Sequence, residues 1–426
     1  MAKAISILAK IVIARKISTI AMSVYSLTLP TLSLLLNFAQ LGIPTTISKL
    51  IAKRKYPTFK IMQVSFFILL LIDLIVGIIY LFFVPYIANS YLKIPLTTLT
   101  LYGIVLLIPL ISITSLLKGY FIGIDKVSVT SKCQISEEIV RLLFIVIFID
   151  FISKNNVSIL SFFAMFSSIV GEIASLIHML LVINIKKKKV IKRISIDNNY
   201  NKQIANKIIK LSILNTSTRL IGSLIYFFEP IIYTHLMLKQ NISSNELTLK
   251  YGIINSYVFP LLLLPSFFSN CISLFLLPKL SKYIENKNYN KSFKSFVFSS
   301  IVSVFIGFFC LTFIYIFPGF FTKLLYGEVI GIEYIKKYSF LLVVYFLQPI
   351  IHVALVAFDK EKSLLFESII CNSIKVILFF ILIPNFHIDG MVIAILASIY
   401  LSIIIHIISI IKSFYFLKTN DNLSST

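Results

Sequence analysis

The sequence predicts an all-α polytopic membrane protein with about 12 transmembrane helices in two six-helix lobes, related by a parallel repeat around a central cavity. Hydrophobic residues make up 58% of the 426 positions and charged residues only 13%, whereas soluble domains are about 45 to 50% apolar. The apolar residues fall in runs long enough to cross a bilayer, and basic clusters separate many of these runs. Matching residues also recur at one fixed offset, which indicates duplicated halves.

The first six apolar segments predict an N-terminal lobe, residues 1–185. The first helix is short and contains Lys10 and Arg15. The next five helices are predicted at 19–42, 61–84, 95–117, 135–152 and 159–185. Pro30 lies inside the second helix and predicts a hinge. The segment KGYFIGIDKVSVTSK, residues 118–132, is predicted to be a loop before helix five.

A basic and polar stretch, residues 186–210, predicts a cytoplasmic linker between the lobes. The C-terminal lobe is predicted at 211–418, followed by a polar tail at 419–426. Its six helices are predicted at 210–239, 251–277, 293–317, 339–358, 363–384 and 390–417. Pro260 and Pro265 predict a further hinge in helix eight.

Helix seven carries charge in its middle. Arg219 and Glu229 lie too far from either end of the segment for their charged groups to reach an interface easily. A charged residue at this depth is costly and usually faces protein or water, so it marks an internal pathway. Pro230 predicts a kink and a hinge beside Glu229. The alternative interpretation is a structural buried pair that holds helices in register.

The positive charge of the chain follows its topology. The net charge is +23, which in a soluble protein would favour nucleic-acid binding. Here Lys and Arg cluster between apolar segments, where they orient helices and contact anionic membrane lipids. The loops assigned to the cytoplasm hold the larger share, so both termini are predicted to be cytoplasmic. No nucleic-acid partner is expected.

Three correspondences share an offset of 234 residues, which predicts two duplicated six-helix halves. The matched pairs are Pro44 and Pro278, Asp125 and Asp359, and Arg141 and Lys375. Because each half has an even number of helices, the repeats are parallel, with a site expected between them at mid-depth. Arg141 and Lys375 are then expected to face each other across that axis.

Acidic residues inside apolar segments are candidates for coupling a proton or a monovalent cation, because burial favours protonation of a carboxylate. The candidates are Glu229, Glu172, Asp73, Glu137 and Glu138. Structural pairing with Arg is the alternative for each. Glu137 and Arg141 are four residues apart, which also fits a local ion pair. The histidines inside apolar segments are interpreted as polar helix contacts rather than proton relays.

Cofactor chemistry is not indicated. The four cysteines are dispersed and form no CxxC motif, so neither a metal site nor a disulfide framework is predicted. No nucleotide-binding loop of the GxxxxGK[ST] type occurs. No nucleophile, base and metal set has workable spacing. The chain is therefore expected not to be an enzyme and to use no cofactor.

Several passages carry a resemblance to a known family. They are STRLIGSLIYFFEPIIY in helix seven, VYSLTLPTLSLLLNFAQLGIPTTISKLIAK near the start, KGYFIGIDKVSVTSKCQISEEIVRLLFIV, YVFPLLLLPSFFSNCISLFLLPKLSK and IPNFHIDGMVIAILAS. Together they resemble the stage V sporulation protein B family, the polysaccharide-transporter branch of the multidrug/oligosaccharidyl-lipid/polysaccharide exporter superfamily. The resemblance covers nearly the whole chain. Ala4 stands where related lipid II flippases have a cationic residue.

The resemblance implies that the protein flips undecaprenyl-pyrophosphate-linked sugars, such as lipid II, across a bacterial cytoplasmic membrane by alternating access. It places Arg219, Glu229, Arg141, Lys10 and Arg15 on charged positions of that family. Together with Lys375, the basic residues are expected to bind the pyrophosphate, for which arginine is a good bidentate ligand.

Two alternatives remain open. The first is a multidrug or organic-cation exporter of the same fold, which would need a cavity lined by carboxylates and aromatic rings. The second is a membrane scaffold that transports nothing and binds other proteins of cell-envelope biosynthesis or spore morphogenesis.

Overall fold

A computed structural model of the chain describes residues 2–52, 56–152, 156–186, 198–358 and 360–424. Every regular element in these ranges is a helix. The side chain of Lys10 and those of some other helical residues lie outside the described part.

The first seven helices follow the predicted segments with shifted ends. They are α1 (Ala2–Lys16), α2 (Thr19–Gln40), α3 (Ile43–Ala52), α4 (Thr58–Tyr86), α5 (Thr98–Gly123), α6 (Val127–Phe148) and α7 (Val157–Lys186). The Ser18 hydroxyl accepts a hydrogen bond from the Ala21 amide at 3.4 Å and caps α2. Leu41 and Gly42, both with positive φ, end that helix. Helix α2 continues through the buried Pro30.

Helix α3 is a separate amphipathic helix, although the sequence analysis assigned its residues to the end of helix two and a basic loop. Its buried face includes Ile43 and Ile47, while Lys49 is exposed. The backbone of α3 lies very close to α5. A Cβ on Gly119 would come within 2.6 Å of the Pro44 carbonyl oxygen, so this contact requires glycine.

The predicted loop at 118–132 is wrong. Helix α5 continues to Gly123 and α6 begins at Val127, so only residues 124–126 connect them. Asp125 has a φ of 60°, and this single left-handed residue reverses the chain. The polar residues that indicated a loop form the first turns of α6.

The helix predicted at 210–239 also begins earlier in the structure than expected. Helix α8 (Asn198–Leu238) includes residues 198–210, which were assigned to the linker. Ile204 and Ile208 lie one turn apart and are fully buried in a cluster with Ile43 and Ile47 of α3. The polar composition of residues 198–210 gave no sign in the sequence that these two isoleucines are buried. The helix continues through Pro230 without a break.

The remaining helices are α9 (Ser244–Gly252), α10 (Phe259–Leu262), α11 (Ser266–Glu285), α12 (Tyr289–Ile316), α13 (Pro318–Tyr326), α14 (Ile332–Tyr338), α15 (Gln348–Ala357) and α16 (Glu361–Ser424). A π-helical segment, Ile253–Val258, joins α9 to α10, and the path bends by 53° before α11. Pro260 and Pro265 border this bend. His387 has non-helical φ and ψ angles and breaks α16 where the sequence separated helices eleven and twelve.

The described residues contain eight helices that are long and apolar enough to cross a membrane, or nine if the bent α9–α11 path counts as one span. One of these, Phe366–Phe414, covers both predicted helices eleven and twelve. The other two predicted spans are α1, which is short, and α6, which carries several charged residues. These assignments together account for the predicted helices, and the all-α, multi-pass fold class is confirmed.

The chain forms two compact units. The N-terminal unit is Met1–His235 with Ser243–Gly252, and the C-terminal unit is Leu236–Ile242 with Ile253–Thr426. Helix α9 belongs to the N-terminal unit because it packs against α2. The C-terminal unit has a core of residues from α11, α12, α15 and α16. The lobe boundaries at 185 and 211 stay a prediction about the duplicated halves.

Candidate functional site

Arg141 lies on α6 in the N-terminal unit, with its side chain only 12% exposed. Its Nε donates to the Ser167 hydroxyl and its Nη2 to the Tyr25 hydroxyl, both at 3.4 Å. Oε2 of the Glu138 carboxylate lies 3.9 Å from its Nη1. Neutral hydroxyls thus supply the two hydrogen bonds of this guanidinium, and the neighbouring carboxylate is beyond hydrogen-bonding distance.

Glu137 does not form the i,i+4 ion pair with Arg141 that its spacing allowed. Its Oε2 lies 3.3 Å from Nζ of Lys118 on α5, and this pair is largely buried. Glu137 and Arg141 are one helical turn apart, but each side chain contacts a residue of another helix instead of the other. Lys118 was missed in the sequence analysis because it opened the predicted loop.

Glu172 on α7 approaches the same pair. The Thr114 hydroxyl of α5 donates to Oε2 of Glu172 at 2.8 Å, and Glu172 lies close enough to Glu137 and Lys118 to interact with them electrostatically. Three helices therefore bring two carboxyl groups and one ammonium group together. We call Lys118, Cys133, Glu137 and Glu172 the N-terminal ionisable cluster.

Arg219 and Glu229 both lie on α8 but in different surroundings. The Arg219 side chain is exposed at the protein surface, whereas Glu229 is only 3% exposed. Glu229 lies near the hydroxyl groups of Tyr226 and Tyr251. The two charges are separate along the helix, as their ten-residue spacing required.

Among the described residues, no contact joins Arg141 to the other basic residues predicted for the site, Arg15 and Lys375. Arg15 is exposed near the end of α1, and the side chain of Lys10 lies outside the described part. Lys375 belongs to α16 of the C-terminal unit, and its Nζ lies 5.8 Å from the Phe379 ring centroid. The predicted arrangement of Arg141 opposite Lys375 stays a prediction.

Asp73 lies in a groove between α4 and α5, which has a volume of about 310 Å³. The Ser112 hydroxyl donates to its Oδ1 at 3.0 Å. The remaining lining is apolar and includes Leu70, Gly77 and Pro109. A second cavity of about 450 Å³, near Ile43 and Ser212, is also apolar. Neither cavity is lined by the predicted basic residues.

Residues 1–284 match the family described as polysaccharide biosynthesis protein. Stage V sporulation protein B of Bacillus subtilis (strain 168) is 27% identical over 418 residues, covering 95% of this chain and 79% of that protein. Sporulation protein YkvU of the same organism is 22% identical over 287 residues, covering 66% of this chain. The chain spans only 62% of YkvU.

Solved structures show the same fold at low sequence identity. An inward-facing multidrug resistance MATE family transporter of the MOP superfamily has a TM-score of 0.72 and 14% identity, with 98% of this chain and 96% of that chain covered. The lipid II flippase MurJ, in an inward closed conformation, has a TM-score of 0.66 and 14% identity, with 99% and 89% covered. These likenesses extend over nearly the whole chain and support the predicted two-lobe, twelve-helix fold.

Proposed function

The chain belongs to the polysaccharide biosynthesis protein family, and we propose that it flips a polyprenyl-pyrophosphate-linked sugar from the cytoplasmic to the outer leaflet of a bacterial cytoplasmic membrane. The proposed substrate class is supported by the family, by the similarity to stage V sporulation protein B and by the fold shared with a lipid II flippase. In this proposal both termini are cytoplasmic, and the two lobes alternate access to one central site.

The observation that carries the proposal is the hydrogen bonding of Arg141. Two of its nitrogens donate to hydroxyl groups, and the Glu138 carboxylate is 3.9 Å away. A guanidinium that donates its hydrogen bonds to neutral hydroxyls, with its carboxylate partner Glu138 at 3.9 Å, keeps a capacity to attract an anion, and its planar fork matches phosphate oxygens. In the proposed site Arg219, Lys375, Lys10 and Arg15 add positive charge along the path of the pyrophosphate.

Membrane potential supplies a driving force for this movement. Moving one charge through 100 mV changes the free energy by about 2.3 kcal/mol. For a headgroup with roughly two negative charges, an inside-negative potential favours outward passage by about 4 to 5 kcal/mol per 100 mV. Net export can therefore proceed without a nucleotide. Glu229, Glu172, Asp73, Glu137 and Glu138 are the carboxyl groups proposed to couple a cation or to stabilise the helices.

The test is a flipping assay in vesicles with a fluorescent lipid-linked pyrophosphate sugar. We expect the wild type to translocate the probe and Arg141→Ala and Arg219→Ala to lose that activity. Lys250→Ala is the matched control, because Lys250 is a surface lysine paired with Glu246 in the same unit. Full translocation by both arginine variants would refute the proposed site.

The Asp73 groove favours a second candidate, export of organic cations. A carboxylate surrounded by apolar side chains attracts a positive, lipophilic molecule. Export of a fluorescent organic cation from cells, lost in Asp73→Asn and retained in Arg141→Ala, would support this candidate over lipid flipping. Partner capture in a pull-down that survives Arg141→Ala and Arg219→Ala, without any transport activity, would instead support the scaffold.

A further inference from the structure

Glu138 has a buried carboxylate that lacks hydrogen bonds. The residue lies on α6 and is only 5% exposed. Its Oε2 has no hydrogen-bond partner among the described residues. A buried carboxylate oxygen usually accepts at least one hydrogen bond, because burial without one costs free energy. The contact that offsets the charge of Glu138 in the described part of the chain is with Arg141, whose Nη1 lies 3.9 Å from that oxygen.

The distance between these two charged groups is too long for a hydrogen bond. A charge-assisted hydrogen bond between a guanidinium nitrogen and a carboxylate oxygen spans about 2.7 to 2.9 Å. The separation of 3.9 Å therefore leaves an electrostatic attraction without a hydrogen bond. An incoming anion that draws Arg141 away from Glu138 breaks no hydrogen bond between them, so the exchange costs less than the opening of a closed ion pair.

Two hydroxyl groups on other helices hold the guanidinium of Arg141 at this distance. Ser167 on α7 accepts from its Nε, and Tyr25 on α2 accepts from its Nη2, both at 3.4 Å. The Ser167 hydroxyl donates its own hydrogen to the Ala164 carbonyl at 2.7 Å, so it meets Arg141 with a lone pair. The position of the guanidinium is therefore set by α2 and α7, and not by the acidic residue on its own helix.

Glu137, the adjacent acidic residue, has a different partner. Its Oε2 lies 3.3 Å from Nζ of Lys118 in the N-terminal ionisable cluster. Successive residues of an α-helix point about 100° apart, so Glu137 and Glu138 face different neighbours. Among the described residues, Glu138 is therefore the carboxylate that lies beside Arg141.

The contact between Arg141 and Glu138 lacks the geometry expected of a purely structural ion pair. Removing two charges from water is costly, and their attraction offsets that cost only when hydrogen bonds between them are well formed. Both side chains are largely buried, with exposed fractions of 12% and 7%, yet the pair stays open at 3.9 Å. This geometry fits a contact that is exchanged for another one during the work of the protein.

We propose that Glu138 is the counterion of Arg141 in the empty site and competes with the phosphate of the substrate for this arginine. The inference rests on the proposed function and gives one of its acidic residues a role of its own. A pyrophosphate bound to Arg141 has the Glu138 carboxylate as a close neighbour of like charge, which repels it. The headgroup is therefore held less tightly than by the arginine alone, and its release on the other side of the membrane is faster.

The test measures binding of polyprenyl pyrophosphate to the full-length protein in nanodiscs and flipping of the fluorescent lipid-linked sugar in vesicles. We expect Glu138→Gln to bind the pyrophosphate at least about 10-fold more tightly, since a charge within about 4 to 6 Å shifts an ionic equilibrium by such a factor. Its maximal flipping rate should fall, because release becomes slower. Glu138→Met should show the same gain in affinity, whereas Glu138→Asp, which keeps the charge, should stay closer to the wild type. Glu246→Gln changes an exposed carboxylate of the same unit and should match the wild type.

Arg141→Ala shows whether the gain acts through the guanidinium. In that background Glu138→Gln should give a clearly smaller gain, because the arginine for which the two anions compete is absent. An undiminished gain would overturn the competition, and so would unchanged or weaker binding by both Glu138→Gln and Glu138→Met. If the wild type binds the pyrophosphate no more tightly than the uncharged polyprenol, the proposed function fails and this inference fails with it. If the wild type prefers the pyrophosphate and neither uncharged variant binds it more tightly, only the inference fails.

Discussion

Buried ionisable side chains meet in each unit, but their chemical classes differ. In the N-terminal unit the Glu137 carboxyl group lies 3.3 Å from a lysine ammonium, and in the C-terminal unit the Glu367 carboxyl group lies 2.6 Å from the His406 imidazole. Acidic residues inside apolar segments therefore take different partners in the two units. The 234-residue offset predicts a similar exchange of groups at Arg141 and Lys375, where a guanidinium would correspond to an ammonium.

The arginine and lysine pair should give the largest functional difference. We expect Arg141→Lys to reduce flipping by about 10-fold or more, because a point charge replaces a bidentate fork and charge-assisted hydrogen bonds contribute about 1.5 to 3 kcal/mol. Lys375→Arg, which supplies a fork instead of removing one, should retain flipping. Initial rates in vesicles with equal protein content measure both. Equal effects of the two exchanges would mean that Arg141 acts only through its charge.

Core truncations compare the packing of the two units. Ile208→Ala in α8 and Ile350→Ala in α15 both remove a fully buried side chain, so each should destabilise its unit by about 2 to 5 kcal/mol. Unfolding in mixed detergent, monitored by circular dichroism, measures the change. Ile209→Ala, an exposed neighbour, is the control. An unaffected Ile208→Ala would contradict the anchoring of residues 198–210 as part of α8.

Two glycine substitutions compare a close contact with the backbone and a close contact with an aromatic ring. In the N-terminal unit, a Cβ on Gly252 would lie 2.4 Å from the Ser23 Cα, so Gly252→Ala should cost about 1 to 3 kcal/mol. In the C-terminal unit, a Cβ on Gly307 would meet the Phe346 ring, which can shift, and the cost of Gly307→Ala should be smaller. Gly222→Ala has open space and serves as control. Thermal unfolding of the three variants measures the order of their losses in stability.

Surface ion pairs should give the smallest effects. Lys250→Ala in the N-terminal unit and Lys337→Ala in the C-terminal unit each break an exposed pair, worth about 0.2 to 1 kcal/mol. Burial raises the pKa of the Tyr338 hydroxyl, which therefore stays protonated and keeps its hydrogen bond to Asp389. Loss of Lys337 should thus leave Asp389 partnered. A shift of several degrees in the unfolding temperature for either variant would show a larger role.

The sequence was sufficient for the fold class because apolar run length and loop charge act along the chain. It failed where a single residue or a distant contact decided the outcome. The left-handed Asp125 shortened a predicted loop to a turn, and two buried isoleucines made part of a polar stretch helical. Neither the left-handed turn residue nor the buried pair can be recognised from local composition.

The candidate site was predicted only in part, for a related reason. Charged residues inside apolar segments identified Arg141, Glu137 and Glu172, but their partners lie on other helices. Glu137 pairs with Lys118, nineteen residues earlier, and not with Arg141 on its own helix. Lys118 was missed because the segment around it was predicted to be a loop.

The central claim is that positive groups within the membrane recognise a pyrophosphate. The most direct test measures binding of polyprenyl pyrophosphate and of the uncharged polyprenol to the protein in nanodiscs, with wild type and Arg141→Ala compared. We predict that the wild type prefers the pyrophosphate by at least about 10-fold, as one charge-assisted contact would give, and that Arg141→Ala loses this preference. Equal affinity of the wild type for the two lipids would contradict the account.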